Sequence, residues 1–304
     1  MTPGRSRQRA ARSVLGVLLL SLAGIPAGLA YEAGTEETLV GGEFSYSVRS
    51  GDSLTLLGAR FGVATAVLGR TNGLVRGDRL RIGQRLRIDN RHVVPFLLED
   101  GILINVPQRL LFFFRDRKLV SWYPVGLGRL NWETTLGQFV VRTRERSPVW
   151  HVPASIQKEM SQRGEEVRTR VEPGPANPLG DYWLGLEGSS CGIHGTNAPA
   201  SIYRFGTHGC VRLHPDDIAD LFARVAIGTR VWIVGEPALI ARTMEGAVFL
   251  ECNPGPGGRL RDEAARVAAI VERQKLQGAV DAAEVDRVVA ATEGLARRVD
   301  RRPD

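Results

Sequence analysis

Cysteine, methionine and histidine are scarce in this 304-residue chain, with three, three and five residues. No Cys-x-x-Cys pair and no His-Glu-x-x-His run occurs, so the common zinc-binding spacings are missing. The odd cysteine count, Cys191, Cys210 and Cys252, excludes a framework in which every sulfur is paired within one chain. Past residue 30 there is no apolar run of the about 20 residues that a membrane-spanning helix needs. The basic excess is shallow as well. The formal charge is +7, but Arg5, Arg7, Arg9 and Arg12 fall in the first twelve residues, and without them 36 basic residues face 33 acidic ones. That balance supports an acidic polymer or surface at most and argues against a nucleic-acid groove. With 43% hydrophobic and 24% charged residues the chain is globular and long enough to bury a sizeable core.

The N-terminus has the pattern of an export signal: a basic stretch to Arg12, an apolar run from Val14 to Ile25 broken by Pro26, and small residues at Gly28 and Ala30. Cleavage after residue 30 is expected, with an uncleaved anchor as the alternative. Export places the remainder in an oxidising compartment, the periplasm, where a free thiol is kept for a reason.

Between about residues 44 and 89 a small module is expected to run strand, two short helices, strand. Tyr46 and Val48 alternate as a strand does, and Gly51-Asp52 makes a turn. Leu54, Leu57 and Phe61 have helical spacing, as do Val63, Val67 and Leu68; Asn72-Gly73 turns toward a last strand through Leu86 and Ile88. The run Tyr46-Ser-Val48, Gly51-Asp52-Ser53-Leu54, Phe61-Gly62-Val63, Asn72, Gly83-Gln84 and Leu86-Arg-Ile88 resembles a LysM module over its length. The resemblance implies binding to glycan strands that contain N-acetylglucosamine.

From residue 100 to 234 the pattern changes to short β-prone runs separated by Gly and Pro clusters: 102–106, 109–114, 119–125, 138–141, 182–186, 192–194 and 230–234. A mainly antiparallel β domain with one clear helix is expected. That helix begins at Pro215, has Asp216 and Asp217 in its first turn, and buries Ile218, Leu221, Phe222 and Val225.

The chemistry is concentrated just before this helix, in Cys191-Gly-Ile-His194-Gly195-Thr-Asn197 and Thr207-His208-Gly209-Cys210-Val-Arg212. A cysteine becomes a nucleophile when an imidazole takes its proton and positive surroundings favour the thiolate. His194, on its own strand, is the candidate base for Cys210, and His208, two residues from the sulfur, is a candidate for shaping or polarising the site. Gly209 frees the backbone for close approach, so that the amides of Gly209 and Cys210 are candidates for facing an oxyanion. Arg212 has the fork geometry that holds a carboxylate, though an arginine serves as well as a structural staple. A zinc site built from His194, His208, Cys210 and His214 is disfavoured by spacing, and His214 fits better as a helix-start residue. His92 and His151 have no visible partners in the sequence. Neither metal nor cofactor is expected.

His194-Gly195-Thr196 followed by Thr207-His208-Gly209-Cys210-Val211-Arg212 resembles the signature of L,D-transpeptidase catalytic domains of the YkuD type, with supporting matches at Leu136-Gly137-Gln138-Phe139 and Asn177-Pro178-Leu179-Gly180. What the resemblance implies is Cys210 as nucleophile, His194 as base with the Gly195 carbonyl holding its other nitrogen, and His208, Gly209, Thr207, Gly195 and Arg212 as supporting or substrate-binding residues. The implied fold class is α+β: a mainly β catalytic domain, a small α/β LysM module and a C-terminal extension. The implied reaction is acylation of Cys210 by a peptidoglycan tetrapeptide stem with loss of D-alanine, then transfer to a diamino-acid amine or to a lysine of an envelope lipoprotein. Two positions depart from the family pattern. Thr135 replaces a usual proline, and Tyr203 replaces a frequent glycine; Tyr203 either lines the acceptor side or is a neutral loop change. Cys191 allows two readings, a disulfide partner for Cys210 or a small buried hydrophobe.

After residue 234 come a strand-like stretch at 247–250, a Pro/Gly breaker cluster at 253–258, and from residue 260 a helical hairpin. The hairpin stripes are Ala264, Val267, Ile270, Val271 and Val285, Val288, Val289, Thr292, expected to pack on the catalytic domain or to recruit a partner. The alternatives in function are a hydrolase of the same fold, an L,D-carboxypeptidase or amidase, and a non-catalytic wall-binding scaffold.

Overall fold

A serine at the turn and a glycine at the far end delimit the first helix of the N-terminal module. Ser53 Oγ accepts from the Leu56 N–H at 3.2 Å, and Gly62 leaves the helix at φ 70°, where a side chain is costly. The structure is a computed structural model and describes residues 39–75, 77–258 and 262–301. The expected export signal lies outside them. Strand Glu43–Ser47 pairs antiparallel with Arg85–Asp89, and helices α1 (Leu54–Phe61) and α2 (Thr65–Thr71) lie between them in sequence. Leu57, Val63, Leu68, Leu86 and Ile88 form the core of this module, and Leu295 from the far end of the chain completes it.

The catalytic domain is built on one eight-stranded sheet. Its order is Val211–Arg212, Gly192–His194, Tyr182–Leu186, Gly137–Arg146, Arg230–Val234, Gly101–Asn105, Leu110–Arg115 and Lys118–Pro124. The sheet is mixed rather than purely antiparallel. Gly192–His194 runs parallel to Val211–Arg212, and Arg230–Val234 parallel to Gly101–Asn105. Each parallel pair requires a long connection, and the first of these carries residues 195–210 across the site.

Two helices flank this sheet in different ways. Helix α3 (Ala154–Gln162) sits in an insertion between the paired short strands Trp150–His151 and Arg170–Val171, and none of its residues is fully buried. The sequence contains no wide apolar stripe there, so periodicity did not show a helix. Asn177 closes the insertion: its Nδ2 donates to the Pro148 carbonyl at 2.8 Å and its Oδ1 accepts from the Leu179 N–H at 2.9 Å. Helix α4 (Pro215–Arg224) starts at the expected proline and packs Ile218, Leu221 and Phe222 into the core with Ile193, Leu184 and Val211. His214 caps it, accepting from the Asp216 N–H at 3.3 Å.

The C-terminal segment is more than a helical hairpin. Helices α5 (Glu263–Arg273) and α6 (Ala282–Ala291) pack on a three-stranded antiparallel sheet of their own, Ala238–Arg242, Val248–Cys252 and Arg297–Arg298. The hairpin therefore covers this sheet and not the catalytic domain. The other face, through Leu239, Ala241 and Phe249, meets Val93 in the connection between the first two modules.

His92, in that same connection, has partners that its sequence context did not reveal. It is fully buried; Nδ1 lies 3.0 Å from Glu251 Oε1 and Nε2 lies 3.0 Å from the Gly62 carbonyl. Glu251 Oε2 also accepts from the Val93 N–H and from Gln108 Nε2 at 3.0 Å. One hydrogen-bond network thus ties the first module, the eight-stranded domain and the C-terminal sheet together.

Candidate active site

Strand alternation builds the floor of the site. Ile193 pairs with Val211 and both point into the core, so His194, its partner Arg212 and the preceding Cys210 share the opposite face. Burying Ile193 and Val211 supplies roughly 1.5–3 kcal/mol each and fixes the register, since a one-residue slip would turn all three polar groups inward. Above this floor lies a cavity of about 560 Å³, walled by Trp150, Ile156, Glu159, Met160, Leu179 and Trp183 and floored by Cys191, His194, His208, Cys210 and Arg212.

His194 is held as a neutral ring. Its Nδ1–H donates to the Gly195 carbonyl at 2.7 Å, which leaves Nε2 with a lone pair. Burial, and then the Arg212 charge, pull its pKa down to about 3. Trp183, the residue directly opposite in the neighbouring strand, stacks on the ring with centroids 5.8 Å apart and planes 23° from parallel. Gly192 makes room for it, because a Cβ there would lie 2.6 Å from the indole.

The loop that carries Cys210 is pinned from both sides. Thr207 Oγ1 donates to the Cys210 carbonyl at 2.7 Å and accepts from the Gly209 N–H at 3.2 Å, while Thr134 Oγ1 donates to the Gly209 carbonyl at 2.9 Å. Gly209 adopts φ 107° with the Cys191 sulfur 3.2 Å from where a Cβ would stand. Its amide is occupied by Thr207, so the expected pair of oxyanion donors, Gly209 and Cys210, is not presented together. Thr207 shapes the loop with its hydroxyl rather than offering it to the cavity. The exposed Thr135 leaves the contacts of Thr134 untouched.

Two further expectations, those for Gly195 and Tyr203, are corrected by position, and His208 gains a partner. Gly195 does not line the cavity; it orients His194, and a Cβ would press on Ile218 at 3.2 Å. Tyr203 is buried away from the site, under the Arg109 guanidinium at 4.4 Å from its ring centre, with its hydroxyl donating to the Gly294 carbonyl at 3.4 Å. It holds the C-terminal segment and lines no acceptor side. His208 faces a carboxylate: its Nε2 lies 2.5 Å from Glu159 Oε2, and Arg129 and Arg163 each donate to Glu159 Oε1 at 2.6 Å. Together His208 and Arg129 hold the Glu159 pKa down to about 2.

The two cavity sulfurs interact directly. The Cys191 and Cys210 thiols hydrogen-bond to one another, and Cys191 also reaches the His208 carbonyl at 3.8 Å. Accepting from Cys210 draws Cys191 down to about 7; donating to Cys191, together with burial, pushes Cys210 up, against the Gly192 amide and the Arg212 charge. Arg212 donates to Ser201 Oγ at 3.0 Å and its buried Nε has no partner among the described residues. Among those residues no group of three or more His, Cys, Asp or Glu side chains is placed to hold a metal ion.

The family model for the L,D-transpeptidase catalytic domain, YkuD, matches residues 99–233, and that for the LysM domain matches residues 46–89. The curated protein named "Probable L,D-transpeptidase ErfK/SrfK" of Escherichia coli strain K12 is 32% identical, over 71% of this chain and 70% of its own length. The chain belongs to the L,D-transpeptidase family. Two more proteins of that strain agree: "Probable L,D-transpeptidase YbiS", 31% identical over 68% of each chain, and "Probable L,D-transpeptidase YcfS", 30% identical over 81% of this chain and 78% of its own.

In this L,D-transpeptidase the residues that sequence reasoning missed all lie outside the two motifs. Glu159, Arg129 and Trp132 surround His208, the last with ring centres 5.1 Å apart, and Trp183 covers His194. Nothing in their local sequence marked them, because they reach the site from outside the motifs, Glu159 from helix α3, Arg129 and Trp132 from one loop, and Trp183 from the central sheet.

Proposed function

We propose that this enzyme transfers peptidoglycan stem peptides, with Cys210 as nucleophile and His194 as base. The observation that carries the proposal is the shared sheet face: Cys210, His194 and Arg212 line one floor, and the free Nε2 of a neutral ring is available to take a thiol proton. As Cys210 sulfur adds to the carbonyl of the third stem residue, its proton passes to His194, which returns it to the leaving D-alanine amine as the thioester forms. An incoming amine then gives up a proton to His194 and displaces the thiolate. The acceptor is the side-chain amine of a second stem's diamino acid, giving a crosslink, or a lysine of an envelope lipoprotein. Arg212, with a buried Nε that lacks a partner, is suited to a substrate carboxylate. Glu159 holds His208 at the mouth as a positioning residue. The LysM module binds the glycan strand of the same polymer, and the enzyme acts in the periplasm after export.

Incubation with purified tetrapeptide stems tests this reading. Crosslinked dimers from the wild type and none from Cys210→Ala are expected, together with a carbapenem mass adduct confined to Cys210. Tripeptide without dimers overturns transfer in favour of hydrolysis, and neither product nor adduct leaves the wall-binding scaffold.

A further inference from the structure

We propose that Cys191 and Cys210 form a reversible intramolecular disulfide, which blocks the nucleophile while shielding its sulfur from irreversible oxidation. The proposal rests on the reading of Cys210 as the nucleophile for its consequence, but not for its chemistry.

Cys191 stands immediately before the strand Gly192–His194, and Cys210 immediately before its parallel neighbour Val211–Arg212. The Cys191 sulfur lies 3.8 Å from the His208 carbonyl and 3.2 Å from where a Cβ would stand on Gly209, against the loop that carries Cys210. A pair offset by one residue across strands about 4.8 Å apart, with a rise of about 3.3 Å per residue, has its Cα atoms about 6 Å apart, inside the range of roughly 4.4–6.8 Å that a disulfide spans. The sulfurs already hydrogen-bond to each other, and the Cys191 sulfur rests against Gly209, where any side chain would drive it away. Both thiols line the cavity and are partly exposed, whereas Cys252 is 1% exposed. The lowered pKa of Cys191 gives the pair a thiolate at neutral pH, the form that reacts.

With a peroxide as oxidant the steps balance. One thiolate attacks a peroxide oxygen, the O–O bond breaks, and a sulfenic acid and hydroxide result; the hydroxide takes up the proton that the thiol had released and becomes water. The second thiolate attacks that sulfur, forming S–S and expelling the oxygen as hydroxide, which takes up the second thiol's proton as a second water. A dithiol reductant restores both thiols by two exchanges and leaves as its own disulfide. A nucleophile without a neighbouring thiol goes on instead to sulfinic acid, which such reductants do not reverse.

The test uses the full-length enzyme, wild type and Cys191→Ser, exposed to a few equivalents of hydrogen peroxide, alkylated, unfolded and digested with trypsin. Arg204 separates the two sulfurs, so the disulfide links peptides 171–204 and 205–212. The wild type is expected to give this linked peptide with Cys252 unlinked, and to regain most of its own untreated activity in dithiothreitol. Cys191→Ser is expected to carry sulfinic acid at Cys210 and to regain less than about a tenth of its own untreated activity. Absence of the linked peptide, a link to Cys252 or to a second chain, or equal recovery in the two proteins overturns the proposal. The linked peptide is scored by mass alone, so an enzyme without transferase activity still answers the question. If the serine variant does not fold, Cys191→Ala replaces it.

Discussion

Two histidines are buried in this protein, and their surroundings assign them opposite work. Both ring nitrogens of His92 face oxygens, Glu251 Oε1 and the Gly62 carbonyl, so the ring is tied to two other segments and rivets three modules together. His194 meets only backbone carbonyls, those of Gly195 and Leu179, and the charge acting on it is the Arg212 guanidinium. It stays neutral and keeps a lone pair. Burial alone therefore says little about a histidine; what decides its role is whether its partners include a carboxylate and the sign of the nearest charge.

Substitution at the two rings should separate them. His194→Gln is expected to lower the transfer rate by about 10²–10⁴-fold, measured by dimer formation, while His92→Gln leaves the rate per folded molecule nearly unchanged. A loss below about 10-fold for His194→Gln would remove it from the proton path. His92→Ala should instead cost about 1–3 kcal/mol of unfolding free energy for each buried partner left without its hydrogen bond, because Glu251 and the Gly62 carbonyl both lose theirs. Denaturant titration checks this, and a cost under 1 kcal/mol would break the comparison.

The contrast extends to acid. The pKa of His194 falls from 6.5 to about 3 on folding, so the unfolded chain binds the extra proton between those values. This contribution to stability is complete above pH 6.5 and is lost as pH falls toward 3, with a slope of up to about 1.4 kcal/mol per pH unit. His194→Gln should flatten that limb. For the sulfurs, alkylation of Cys191 by iodoacetamide is expected to rise through about pH 7. The smallest effect is expected at Glu159→Gln, about 10-fold in kcat/KM through loss of the charge that holds His208; the exposed Glu165→Gln serves as control.

The pattern of success along the chain has a physical cause. The strands at 182–186, 192–194 and 230–234 and the start of α4 at Pro215 were legible because alternation, turn residues and helix-start chemistry are local. Helix α3 was not, because it buries no side chain fully and so has no stripe to show. The same held for the strand Arg297–Arg298, two charged residues without an apolar pattern, of which Arg297 is held by Asp89 from the first module. Tyr203 was misplaced for a related reason: its neighbours Arg109 and Gly294 are far away in sequence.

By itself the amino-acid order determined which groups could do chemistry, since Cys210, His194 and Arg212 sit in two short motifs whose spacing is set by neighbouring strands. It also determined the two modules with their own periodicities. Only the tertiary structure decided that Gly209 spends its amide on Thr207, that Glu159 faces His208, that His92 is paired, and that Cys191 touches Cys210. These are contacts between segments distant in the chain, and their energy depends on burial and orientation, which no local pattern encodes.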